Sequence, residues 1–261
     1  MRYPAITVTL LGTGTSSGVP MIGCECEVCT STDKKDNRLR TSILVKSANT
    51  TLVVDTGPDF RYQMLRANVK RLDAVLFSHP HKDHVAGLDD IRGYNFFMQR
   101  PMNVYANSLT QEALKREFSY AFADKKYPGV PDITMHTIAD QNFQVGEIPV
   151  VPIWVWHLKM PVLGFRFGNF TYITDANRID AGEMKKIEGS EVLVVNALRK
   201  EKHISHFNLE EAIALARELK IPRTYFTHIS HQMGRHADVE RLLPEGIHLG
   251  YDGQEIELPA F

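Results

Sequence analysis

Nowhere in the 261 residues is there an apolar run approaching the roughly 18 residues that a bilayer-crossing helix needs, so no membrane span is expected. No secretory leader is expected either, because the strand-like Ile6-Thr7-Val8-Thr9-Leu10-Leu11 is too short and too polar for its apolar core. Charge of one sign is also lacking. With 30 Lys and Arg against 31 Asp and Glu, the formal net charge of -1 provides no global field to draw in nucleic acid or an anionic membrane. Any anion must therefore be held by a local site. Neither a Pro/Gly/Ser-rich linker nor an internal repeat divides the chain, and residues 1–261 are expected to form one domain. Cysteine is scarce. All three lie in Cys24-Glu25-Cys26-Glu27-Val28-Cys29, an odd number at a spacing that suits a metal better than disulfides and points to a reducing cytoplasm.

What is present is an alternation of short apolar runs with turn signals. Leu52–Val54, Ala74–Phe77, Val150–Val155, Leu163–Phe167, Phe170–Thr174, Val192–Val195 and Thr224–Thr227 carry the β-branched and aromatic content of strands. Between them fall helical patterns, clearest at Leu209–Leu219, where Asn208 and Glu211 form a capping pair ahead of an apolar-periodic run. The fold class is α/β. Phe96–Met135 is the least regular part, and its aromatics, prolines, Lys125 and Lys126 predict a surface excursion or lid rather than core.

The run Val75-Leu76-Phe77 leads into Ser78-His79-Pro80-His81-Lys82-Asp83-His84, just beyond the carboxyl end of a predicted strand, where α/β proteins place ligands. Residues two apart in an extended segment point the same way, so His79 and His81 can clasp one cation. Asp83 and His84, after a turn, can face a second. Imidazoles mixed with carboxylates suit Zn, Mn or Fe(II) better than Mg or Ca. One histidine at a strand end would ordinarily be a satisfied polar residue; four potential ligands in six positions argue against that.

This H-x-H-x-D-H pattern resembles the signature of the metallo-β-lactamase superfamily, whose fold is a four-layered αβ/βα sandwich with the metals at the edge between its halves. Asp55, His157, Asp175 and His228 follow apolar runs in the order that the superfamily shows. The resemblance implies that His79, His81 and His157 hold one metal, that Asp83, His84 and His228 hold the other, and that Asp175 bridges them. Asp55 is expected to buttress the site rather than to ligate. His136 gains no support from the pattern.

A narrower similarity, to the PhnP-type cyclic phosphodiesterases of the carbon–phosphorus lyase pathway, rests on Leu11-Gly12-Thr13-Gly14 with Gly18-Val19-Pro20, Gly23-Cys24-Glu25-Cys26 with Cys29, Thr227-His228-Ile229-Ser230-His231-Gln232 and Gly250-Tyr251-Asp252-Gly253. It implies a structural zinc on Cys24, Cys26, Cys29 and His231, anchoring a loop at residues 23–31. Three thiolates do need a fourth donor to close a tetrahedral site. The alternative is a cluster of unliganded surface thiols. The glycine-rich loop at 12–18 lacks a G-K-[ST] ending and is followed by Pro20, so neither a Walker nor a dinucleotide-binding motif applies.

The expected cofactors are two catalytic divalent ions, Mn or Zn, and one structural Zn. The expected activity is hydrolysis of a small phosphodiester, a phosphoribosyl 1,2-cyclic phosphate as the resemblance implies. Water activated by the two ions would attack phosphorus, with Asp83 and His206 counted as catalytic. His206 is the leaving-group acid because that family has a catalytic histidine just before this helix, and His203 is its rival. Alternatives are carbonyl-ester, thioester or lactone hydrolysis and tRNA-processing endonuclease activity. The expected partner is a small-molecule phosphodiester. Nucleic acid is disfavoured, a membrane is excluded and a homodimer is left open.

Overall fold

The computed structural model describes residues 3–260. In chain order its strands are β1 (Ile6–Gly12), β2 (Ser42–Lys46), β3 (Thr51–Val54), β4 (Ala74–Leu76), β5 (Met102–Ala106), β6 (Ile133–Thr137), β7 (Phe143–Val145), β8 (Ile148–His157), β9 (Met160–Phe167), β10 (Phe170–Ile173), β11 (Arg178–Ile179), β12 (Val192–Asn196), β13 (Arg223–Thr227), β14 (Ile247–Leu249) and β15 (Glu255–Leu258). The α-helices are α1 (Phe60–Arg66), α2 (Lys82–Val85), α3 (Arg92–Met98), α4 (Ser108–Glu117), α5 (Ala181–Ile187), α6 (Leu209–Glu218) and α7 (His236–Glu240). One sheet runs β15-β1-β2-β3-β4-β5-β6; the other runs β11-β8-β9-β10-β12-β13-β14, with β7 paired to β8. In each, an antiparallel set passes into a parallel one, at β3–β4 and at β10–β12.

The apolar runs are continuous because these strands are buried on both faces. Leu52, Val54, Val192 and Val194 point into the core between the sheets, together with Leu10, Phe165 and Tyr172. Their neighbours point outward: Val53, Val75 and Phe77 pack under Phe60, Met64 and Leu114 of α1 and α4. Leu193, Val195 and Phe226 pack under Ile187, Ala212 and Val239 of α5, α6 and α7. Helix, sheet, sheet and helix give the four-layered αβ/βα sandwich that the superfamily resemblance implied. Asn208 and Glu211 form the predicted capping box of α6. No helix among the described residues is long and apolar enough to cross a membrane.

Phe96–Met135 departs from expectation. It supplies β5, α4 and the start of β6, and Met102, Val104, Ala106, Leu114 and Ala121 are buried in the core under the first sheet. Its longest continuous exposed stretch is residues 123–129. The lid reading failed because β5 and β6 are short, β6 ends the sheet, and the apolar residues that bury them are interspersed with polar ones.

At the carboxyl ends of β3, β10 and β13 the chain turns sharply. Asp55, Asp175 and His228 adopt left-handed φ values of 66°, 55° and 55°, a conformation costing non-glycine residues about 1–2 kcal/mol each. The turns bring residues from both sheets to one edge. The loop after Asp55 is pressed against the loop carrying the histidines so closely that a Cβ on Gly57 would stand 2.2 Å from the carbonyl oxygen of Asp83.

Candidate metal centre

Asp55 organises the centre from beneath. Fully buried, its Oδ1 accepts the Ser78 amide at 2.8 Å, and its Oδ2 accepts the Ser78 hydroxyl and His84 Nδ1–H, each at 2.7 Å. With its proton spent on Asp55, Ser78 Oγ can only accept from His79 Nδ1, 3.0 Å away. The bonds therefore fix the tautomers of His79 and His84, leaving each Nε2 as a lone pair directed at the site. His157 is set in the same way by its Nδ1–H donating to Ser205 O at 2.8 Å. Asp55 thus has the buttressing place expected of it. Ser78 and Ser205 were not singled out from the sequence; each adjoins a candidate histidine, His79 and His206, and that adjacency was the local signal available.

The freed lone pairs converge. His79 Nε2 and His81 Nδ1 face each other at 3.0 Å, and the His81 and His157 rings are 5.2 Å apart. His84 Nε2 lies 3.2 Å from both Asp83 Oδ2 and Asp175 Oδ2, and His228 Nε2 lies 3.1 Å from Asp175 Oδ1. Yet both Nε2 atoms are buried without a hydrogen-bond partner. Buried lone pairs facing carboxylates are costly unless a proton or a cation lies between them, so this donor set fits divalent metal ions. Ligand atoms of Asp83, His84, Asp175 and His228 lie within 4.8 Å of one another, as do those of His157, Asp175 and His206. Asp175 is common to both groups, the position expected of a bridging residue. The second group differs from expectation by containing His206, while His79 and His81 pair beside it. His136 lies elsewhere, stacked on Tyr105 and bonded to Asn103.

Burial and charge compete throughout. Burial raises the pKa of Asp175, but His228 and His84 outweigh it and hold the carboxyl well below its ordinary range. Burial opposes charge on His84, yet Asp175, Asp83 and Asp55 raise its pKa well above the ordinary value. His79 goes the other way, kept neutral by burial and then by His84. The cluster demands positive charge at His84, and a bound cation would supply it.

His206 sits at the heart of this cluster. Its Nε2 is 3.0 Å from Asp175 Oδ1, its ring stacks on His228 at 4.9 Å, and burial pulls its pKa down to about 4. His203 is close behind, its Nδ1 3.2 Å from His206 Nδ1, but it lies on the solvent side and is only half-buried.

Cys24, Cys26, Cys29 and His231 meet although about 200 residues separate them in sequence, their ligand atoms mutually within 4.8 Å. Nδ1 of His231 is 3.3 Å from Cys24 Sγ and 3.2 Å from Cys26 Sγ. The Cys29 amide and then His231 pull the Cys26 thiol down to about 6, whereas burial pushes Cys29 up to about 11. Three sulfurs and one imidazole nitrogen at these separations match the donor set that a closed tetrahedral zinc site requires.

Two mixed sheets between helices, with a histidine and aspartate cluster where the ends of their parallel strands meet, define a metal-dependent hydrolase fold. The family description "Beta-lactamase superfamily domain" matches residues 50–229, and the chain belongs to the metallo-β-lactamase superfamily. It is 38% identical, with a TM-score of 0.92 over 99% of this chain and 98% of the other, to the structure of a diphosphatase from the PhnP family. A protein from Porphyromonas gingivalis named octanoyltransferase is 39% identical over 249 residues, which are 94% of this chain and 50% of that protein. The chain thus spans about half the length of that relative. The fold also resembles Zn-bound PqqB from Methylobacterium extorquens, with a TM-score of 0.78 at 20% identity over 97% of this chain and 100% of that one.

Proposed function

We propose that the chain hydrolyses a small phosphodiester, a phosphoribosyl 1,2-cyclic phosphate in particular. The observation that carries this reading is the likeness, over almost the entire length of both chains, to a PhnP-family diphosphatase. His79, His81 and His157 would hold one divalent ion, Asp83, His84 and His228 a second, with Asp175 between them; Mn or Zn suits these donors. Cys24, Cys26, Cys29 and His231 would hold a structural zinc. Bound ions supply Lewis-acid charge for a phosphoryl oxygen and an activated water as nucleophile.

The chain's own residues do the rest. Asp55 and Ser78 keep His79 and His84 in the ligating tautomer, and the Ser205 carbonyl does so for His157. His206, whose Nε2 lies beside Asp175, would give a proton to the departing alkoxide. Burial disfavours its protonated form, and an arriving phosphodiester anion offsets that by favouring the imidazolium.

A second reading, carbonyl-ester or thioester hydrolysis, is favoured by the name of the Porphyromonas gingivalis relative, but half of that protein has no counterpart in this chain. A panel of bis(p-nitrophenyl) phosphate, a ribose cyclic phosphate, nitrocefin and S-lactoylglutathione separates the readings. The phosphodiesters should turn over fastest; a carbonyl substrate outpacing both would reject the proposal. His206→Ala should keep its metal and lose about 10²- to 10⁴-fold with the alkoxide leaving group, but far less with p-nitrophenolate, which departs without a proton. Equal losses would remove His206 from the acid role, and metal loss would make it a ligand.

A further inference from the structure

The segment between β12 and α6 carries both His203 and His206, yet from Lys200 to Lys202 it is exposed, with no apolar side chain to anchor it. Its base is closed by the Leu198 amide on Phe207 O at 3.0 Å and the Leu209 amide on Arg199 O at 2.9 Å. Its far limb is held by Asn177 Nδ2 on Ile204 O at 3.1 Å and by His157 Nδ1 on Ser205 O. The intervening carbonyls, Glu201 O and Lys202 O, are bound by one side chain: Arg199 Nε reaches Glu201 O at 3.4 Å, and Nη2 reaches Lys202 O at 3.1 Å. The remaining arm, Nη1, donates at 2.9 Å to Oε1 of Gln232, which follows the thiol-facing His231.

We infer that Arg199 is a positioning residue. Its guanidinium, braced on Gln232, is the internal strut of the loop that sets His206 against the reacting centre. The planar fork is what the role requires, since three donors at fixed angles span two successive carbonyls and an anchor that a lysine ammonium could not reach together. The bond to Gln232 also joins this loop to the 3-10 turn bearing His231, so the thiol cluster and the proton-donor loop share one support. The inference rests on the phosphodiesterase reading for its catalytic consequence, but not for its structural one.

Both consequences can be read in the metal-loaded protein. In Arg199→Ala, tryptic cleavage after Lys200 and Lys202 should accelerate several-fold, because cleavage follows local opening. The rate with an alkoxide leaving group should fall about 10- to 100-fold, while bis(p-nitrophenyl) phosphate changes by less than about twofold. Metal content should not change. Arg199→Lys should behave like Arg199→Ala, Gln232→Ala should show a smaller effect in the same direction, and Gln232→Glu, which retains the acceptor, should be restored close to wild type. Unchanged cleavage and an unchanged leaving-group ratio in Arg199→Ala would overturn the inference, as would equal loss on both substrates, the mark of general structural damage. A wild-type protein inactive on every phosphodiester would refute the functional reading, and the cleavage rates would still decide whether Arg199 holds the loop.

Discussion

Replacing Asp55 with Asn tests whether one buried carboxylate sets the histidines of both proposed metal positions. Asp55 accepts three hydrogen bonds at 2.7–2.8 Å with no exposure to water. Asn supplies one acceptor oxygen and one NH2 group. In its better orientation the oxygen keeps Ser78 Oγ and His84 Nδ1, and the NH2 is turned against the Ser78 amide. One charge-assisted bond, about 1.5–3 kcal/mol, is then lost, and a buried donor left unsatisfied costs about 1–3 kcal/mol more. The sum of about 2.5–6 kcal/mol corresponds to a fall in melting temperature of roughly 5–24 °C for a chain of this size. The metal effect is more specific. The amide keeps the bonds to His84 and, through Ser78, to His79, but without the carboxylate charge that raises the basicity of these histidines, so both ions should weaken, each by about 10- to 100-fold. Ser78→Ala, which leaves the Asp55–His84 bond in place, should weaken chiefly the ion bound by His79. Chelator competition followed by elemental analysis reads both variants. Wild-type metal retention in Asp55→Asn, or loss confined to one ion in both variants, would refute the reasoning.

Further outcomes follow from the same contacts. Wild-type protein should contain about three metal ions per chain, and Cys26→Ser should lose one of them along with thermal stability while retaining the other two; unchanged zinc and melting would show that the thiols are not ligands. His236 is buried with its Nδ1 3.1 Å from Arg38 Nη2, and burial, then Arg38, lowers its pKa to about 4. Because the unfolded imidazole protonates near pH 6.5 and the folded one only near 4, stability present at neutral pH is lost as pH falls through that window. The cost should be about 2 kcal/mol between pH 7 and pH 5, measurable as a steeper denaturant-midpoint decline in wild type than in His236→Asn; parallel declines would reject it.

How much of this was legible depended on how locally each feature is encoded. His79, His81, Asp83 and His84 lie within six residues after an apolar strand, so their grouping is encoded locally, although α2 carries Asp83 and His84 and the distant Asp55 sets the tautomers. His157, Asp175 and His228 could be placed only as residues ending strands and by resemblance, because nothing near them in sequence marks a partner. Cys24 and His231 meet across 207 residues, so spacing could suggest a metal but not its fourth ligand. Three-residue strands such as β7 and β14 gave no usable period, and β15, which alternates Glu255-Ile256-Glu257-Leu258, had a period but too few residues to stand out. Arg199 was invisible for a different reason. Two of its three partners are main-chain carbonyls, which any sequence supplies, and the third, Gln232, lies 33 residues away.

Charge explains why a chain with almost no net field should prefer an anionic substrate. Asp55, Asp83 and Asp175 bring three negative charges into one cluster, with Asp55 and Asp175 buried and Asp83 half-buried, and with metals bound the surrounding histidines would serve as neutral ligands. Two divalent ions would change that -3 to +1. A phosphodiester carries one negative charge and would bring the loaded site to neutrality, whereas a neutral ester or lactone would leave a positive charge in a partly desolvated site. Attraction of this kind is local and is consistent with the overall charge of -1. It predicts that inorganic phosphate inhibits competitively and that inhibition weakens in Asp55→Asn in proportion to metal lost. It also predicts modest relief by salt, because charges inside the site are screened far less than surface charges. Inhibition that is absent at tens of millimolar phosphate, or that persists undiminished once the metals are removed, would show that the cluster does not recognise anions through its cations.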